Sequence, residues 1–155
     1  MQIRDCAPAD LPAVINMLER KRDLLATFEP RLWKRAAGSA ESTHSYLSGL
    51  LTADDNVFLV TDDGDRILGF LLATPIRVPP VYDAGPTAMI DDFEVAAPEL
   101  WPTVGAALMT AARQRLAQRG IVQFMCISVQ RDSGKLQMLA DAGLSQHVAI
   151  FNGPT

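Results

Sequence analysis

The sequence predicts an α/β protein, a mixed sheet with helices on both faces, in the order β-α-α-β-β-β-α-β-α-β. Three observations carry this. Two apolar runs, "NVFLV" and "ILGFLLATPI", flank Asp62-Asp63-Gly64-Asp65, which reads as an antiparallel hairpin. The strand-like "AMIDDFEV" leads through a tight turn into an amphipathic segment. The nearly continuous apolar run "IVQFMCISV" follows, the pattern of a right-handed crossover to a buried parallel strand. The 155 residues, 48% hydrophobic and 21% charged, suit a single packed domain over 1–155.

Taken in order, "MQIRDC" is short and alternating, a first strand. A helix follows with Pro8 at its first position and Asp10 in its first turn, and Pro12 still falls within the tolerated opening turns. Leu11, Val14, Ile15, Leu18 and Leu25 form its apolar stripe. A second helix carries Tyr46, Leu47, Leu50 and Leu51 ahead of the hairpin. The loop "RVPPVYDAGPT" is long and proline-rich, and such loops are often functional. Gly120 closes the helix after "AMIDDFEV", and Gly143 ends a short helix over "SGKLQMLADAGL". "SQHVAIFN" reads as a last strand, whose edge a second copy of the chain could cover in a homodimer.

The net charge of −4 argues against a nucleic-acid partner, because phosphate-backbone affinity needs a basic face. The N-terminus carries charges where a signal peptide needs an apolar core, and no run approaches a membrane span. Two isolated thiols, Cys6 and Cys126, fit a reducing compartment, so a cytoplasmic protein is expected. Cys126 lies within an apolar strand and reads as a small hydrophobe, and Trp33 and Trp101 as packing residues, with a cofactor cover as the alternative for Trp101. His44 and His147 are far apart and no metal-ligand spacing occurs, so no metal is expected. Dinucleotide and nucleoside-triphosphate motifs are likewise missing.

The segments "IRDCAPADLPAVINML", "VFLVTDDGDRILGFLLA" and the run from "IDDFEV" to "DAGL" together resemble the GNAT superfamily of N-acyltransferases over nearly the whole chain. The resemblance implies acetyl-CoA as co-substrate, with pantetheine along the fourth strand and pyrophosphate in the turn that follows. It places Phe93, Glu94 and Val95 at the strand, near a bulge whose N–H polarises the thioester carbonyl. Leu100, Thr103, Val104, Gly105 and Ala106 then fall in the turn. Leu100 stands where the family has Arg or Gln, and Thr103 where it has its first Gly. Pro102 removes a backbone donor, which predicts a weaker cradle, and Arg113, Arg131 and Lys135 are expected to compensate at the phosphates. The same turn also suits tight helix-on-sheet packing. Asp132 takes the place of the family's Asn, and Leu139 that of a Tyr that protonates the leaving thiolate. Tyr82, Tyr46 and Ser128 are the candidate substitutes, unless the thiolate leaves unaided.

Asp91, Asp92 and Glu94 crowd one strand, and alternation sends Asp91 to one face and Asp92 with Glu94 to the other. A poorly solvated carboxylate has a raised pKa and serves as a general base for an ammonium acceptor. Asp92 and Glu94 lead Asp91 in this role, Tyr82 is added as a possible acid, and Pro79, Pro80 and Tyr82 are placed to wall an acceptor pocket. The expected activity is transfer of an acetyl group to a small amine or a peptide amine. The alternatives are a non-catalytic acyl-CoA-binding module and a fold that has lost its CoA site.

Overall fold

The computed structural model describes residues 1–151. Five strands form one sheet in the order β1-β2-β3-β4-β5. They are β1 (Gln2–Asp5), β2 (Val57–Asp62), β3 (Ile67–Ile76), β4 (Thr87–Val95) and β5 (Gln123–Cys126). The first four are antiparallel neighbours, and β5 joins β4 in parallel. Helices α1 (Leu11–Phe28) and α3 (Ser39–Leu51) lie in the chain between β1 and β2, with a single turn, α2 (Pro30–Trp33), linking them. Helix α4 (Ala106–Gln118) crosses from β4 to β5, and α5 (Ser133–Asp141) follows β5.

Alternation in β2 and β3 divides the core into two layers. Phe58, Val60, Phe70 and Leu72 pack with Leu11, Val14, Leu18 and Leu47 from α1 and α3. Leu59, Leu71, Phe93, Leu108, Met109 and Leu139 fill the opposite side beneath α4 and α5. The expected stripe on α1 is buried at Leu11, Val14, Leu18 and Leu25, with Met17 added and Ile15 half-buried. Its start is also as expected in chemistry though not in form. Pro8–Asp10 makes a separate 3-10 turn, and the Asp10 carboxylate reaches back to accept the Ala7 N–H at 2.8 Å and pairs with Arg4 at 2.6 Å. Gly120 and Gly143 adopt φ of 76° and 78° just past the ends of α4 and α5, the left-handed closure the sequence predicts.

Two expectations are corrected. Residues 144–151 form no strand, and Asn152, the last residue of the predicted one, lies outside the described residues. Val148, Ile150 and Phe151 are exposed, so alternation without a ladder partner was not enough to make a strand there. Among the described residues the sheet therefore ends at β5, and the edge invoked for a dimer belongs to that strand. The apolar run "IVQFMCISV" contributes only Gln123–Cys126 to the sheet, because β5 leaves β4 after those four residues.

Candidate active site

The parting of β4 and β5 creates the site. Their pairing runs from Thr87 opposite Gln123 to Ile90 opposite Cys126, and its last bond is Ile127 N–H to Ile90 O at 2.9 Å. From Asp92 to Val95, β4 is paired to β3 only. The bulge expected near Phe93 to Val95 falls instead at Asp91. Leu72 faces Asp92 and Ala73 faces Ile90, so Asp91 has no opposite residue and is exposed. Asp92 and Glu94 do share a face, toward α1, as alternation predicts, and Phe93 and Val95 take the other.

The two carboxylates on that face differ in their surroundings. Glu94 Oε1 sits 2.7 Å from Lys21 Nζ and 3.8 Å from Lys135 Nζ, so its charge is held by two cations. Asp92 is partly buried, and burial pushes its pKa up against the pull of Lys21, with Asp91 adding to the rise. Tyr46 of α3 is near enough to sense both Asp91 and Asp92: burial raises its phenol pKa and the two carboxylates raise it further. Asp91, Asp92 and Tyr46 thus gather at one mouth of the site. Tyr82 stands apart from them. It is exposed, in the loop entering β4 at the end away from Glu94, with its N–H bonded to Pro79 O at 3.0 Å.

Lys135 lies deepest. It is 1% exposed, donates to Phe93 O at 2.9 Å, and has its ammonium 5.3 Å and 5.4 Å from the ring centres of Phe93 and Trp101. Burial pushes its pKa down to about 8, Lys21 adds to the fall, and Glu94 opposes it. Lys135 therefore occupies the gap between the parted strands, not the phosphate end that the sequence reading gave it. Arg113 donates to Ala142 O at 2.6 Å and lies over Phe124, and Arg131 lies over Phe28, so both of these expected phosphate ligands are engaged elsewhere.

The turn after β4 runs as a 3-10 turn, Pro98–Leu100, and a wide π turn, Trp101–Gly105, into α4. Trp101 is buried edge-on to Phe93, with ring centres 5.0 Å apart. A Cβ on Gly105 would stand 2.6 Å from the indole Cε3, and one on Gly134 would stand 2.9 Å from Cδ1. Gly105 thus makes room for Trp101. Gly105→Ala is expected to lower stability by ~1–3 kcal/mol in urea denaturation, through overpacking. A glycine that only admitted a phosphate would leave stability unchanged. Leu100 is half-buried, Val104 is buried and Ala106 half-buried, which leaves Pro102 and Thr103 facing outward. The Thr103 hydroxyl turns back to Leu100 O at 3.4 Å and caps nothing. Asp132 caps α5 by accepting the Lys135 N–H at 3.1 Å.

No protein-family model and no curated protein matches the chain by sequence. Solved structures match its whole shape. A tetramutant of the BH1408 protein from Bacillus halodurans superposes with a TM-score of 0.85 at 14% identity, covering 100% of both chains. The aminoglycoside acetyltransferase meta-AAC0020 from an uncultured soil metagenomic sample, in complex with sisomicin, matches at 0.69 and 18%, covering 99% of this chain and 95% of that one. The aminoglycoside antibiotic 6′-N-acetyltransferase AAC(6')-IG from Acinetobacter haemolyticus matches at 0.71 and 14%, covering 100% and 99%. The fold is that of the GNAT N-acetyltransferases.

On the GNAT fold, the β4 edge that β5 leaves beyond Ile90 is where the resemblance puts pantetheine, and in this chain Lys135 Nζ takes the Phe93 carbonyl on it. The pyrophosphate turn fits less well, since Pro102 has no N–H to give and Glu99 adds a negative charge to the opening turn. Lys21, beside Glu94, was missed in the sequence, and Lys135 was expected at the phosphates and not in the gap. The signal was present: Lys21 follows Val14 and Leu18 on the apolar stripe of α1, and Lys135 shares the α5 stripe with Met138 and Leu139. A lysine within an apolar stripe is either snorkelling or buried for a purpose.

Proposed function

We propose that this chain transfers an acetyl group from acetyl-CoA to a cationic amine, with Asp92 as the general base. The observation that carries the reading is a partly buried carboxylate of raised pKa, Asp92, placed beside the bulge where β5 leaves β4. Acetyl-CoA, when bound, supplies a thioester carbonyl open to attack by an amine. The β4 edge from Asp91 to Val95 would hold its arm, and Thr103 would face its phosphates. Asp91 and Asp92 attract an ammonium to the mouth beside Tyr46, and Asp92 takes the proton that frees the amine's lone pair. Lys21 neutralises Glu94 and so keeps a second negative charge from competing for that proton.

Calorimetric titration with acetyl-CoA tests this, with CoA lacking the 3′-phosphate as comparison. Micromolar binding followed by CoA release with one of a panel of amines is the expected result. No binding overturns the reading. A second reading, a non-catalytic acyl-CoA-binding module, draws support from Gly105 serving Trp101 and from the donor lost at Pro102. It predicts binding without turnover across the panel.

A further inference from the structure

Breaking a thioester leaves a thiolate, and the chain's hydroxyl groups are poorly placed to protonate one in the gap. Leu139, at the position where the resemblance implies a phenol, is a buried aliphatic. Tyr46 stands with Asp91 and Asp92 on the α3 side. Tyr82 is exposed in its loop, and the Ser128 hydroxyl turns to Val129 O at 3.5 Å. Burial pushes the Cys126 thiol up, which makes it a poor acid. One strong donor does lie between the parted strands. Lys135 precedes Leu139 by one helical turn on the same face of α5, and its Nζ reaches the β4 backbone at Phe93 O.

We propose that the Lys135 ammonium is the proton donor to the thiolate that leaves during acetyl transfer. The inference rests on the acetyl-CoA reading above. In the step, the amine nitrogen forms its bond to the acyl carbon as the carbon–sulfur bond breaks. Sulfur keeps the electron pair and takes a proton from Nζ, while Asp92 accepts the proton lost by the amine. Solvent exchange then returns a proton to Lys135 and removes one from Asp92, so the chain ends unchanged. The charged and titratable groups around Nζ suit this role. Glu94 from β4, Cys126 from β5 and Asp132 at the start of α5 favour the ammonium, and Lys21 from α1 with burial opposes it. The balance leaves an ammonium whose pKa of about 8 lies close to that of a thiol, about 8.5, so the proton moves between them at little cost.

The test uses free CoA and needs no acceptor. A thiolate absorbs in the far ultraviolet and a thiol does not, so the ionisation of bound CoA is followed by difference absorbance against ligand-free protein. The chain's own thiols ionise late, since burial pushes Cys6 up to about 12 and Cys126 upward. An ammonium beside the sulfur should lower the pKa of bound CoA by about one unit, roughly tenfold in the ionisation constant. Lys135→Met should abolish that shift, and Lys135→Arg should restore it. Arg cannot release a proton, so Lys135→Arg should still lose turnover and the alkaline fall in rate near Lys135's pKa. A bound thiol that ionises like free CoA in the unaltered protein overturns the proposal. So does a shift that survives Lys135→Met. Both results leave the acetyl-CoA reading standing, whereas failure of calorimetry to detect CoA or acetyl-CoA overturns that reading and this one together.

Discussion

Asp92→Asn is expected to reduce kcat/KM for acetyl transfer by about 10²–10⁴-fold, the usual worth of a positioned general base. Circular dichroism and acetyl-CoA affinity should stay unchanged, because Asn keeps the shape and the proposed hold of the β4 edge on acetyl-CoA is through backbone groups. Burial holds the Asp92 carboxyl above its ordinary range, so the rate should fall on acidification at a pH higher than a free aspartate would give. Asn removes that acid limb along with the rate. Glu94→Gln is the useful contrast. Glu94 is ion-paired with Lys21 at 2.7 Å and lies 3.8 Å from the buried Lys135, and loss of its charge leaves both cations without it. That variant should lose stability first and turnover second. If Glu94→Gln abolished the acid limb while Asp92→Asn kept it, the base would be Glu94.

Lys135→Met is expected to make the protein more stable at neutral pH, by ~1–3 kcal/mol, while it removes the proposed proton donor. The linkage gives the sign. Folding lowers the pKa of Lys135 from 10.5 to about 8. Between those values the unfolded chain holds a proton that the folded chain has released, so stability rises with pH across the window. Below it, the folded protein carries the whole cost of a buried ammonium. Met fills much the same volume without that cost, and Glu94 keeps its closer partner, Lys21. The loss of the bond to Phe93 O offsets part of the gain, about 1 kcal/mol. Urea denaturation at several pH values measures both parts. The unaltered protein should gain stability from pH 8 upward, and Lys135→Met should lack that rise. A variant less stable than the parent at neutral pH would mean that the hydrogen bond and the two aromatic rings outweigh the burial cost. A lysine retained at a cost in stability is what a functional role there would require.

The elements that sequence patterning reached were those whose stability is local or repeats at close spacing. The β2–β3 hairpin was legible because Asp63 and Gly64 close it with their own side chain and backbone. The face of α1, the ends of α4 and α5, and the common face of Asp92 and Glu94 were legible in local pattern and closing glycines. Non-local contacts decided the rest. Nothing in "AMIDDFEV" says that β5 departs at Ile90, since that depends on where the strand after α4 stops pairing, and the bulge at Asp91 depends on β3. The strand expected at 145–152 had the right alternation, yet strands exist only where a neighbour accepts their hydrogen bonds, and 144–151 meet none. Gly105 suited a phosphate or a packing role equally until the Trp101 indole was seen against it. In the sequence Lys135 stood with Arg113 and Arg131 as a cation for the phosphates. Only the packing of α5 on the parted strands removed it from water, gave it Phe93 O as a partner and lowered its pKa, because desolvation is a property of everything around a charge and not of its place in the chain.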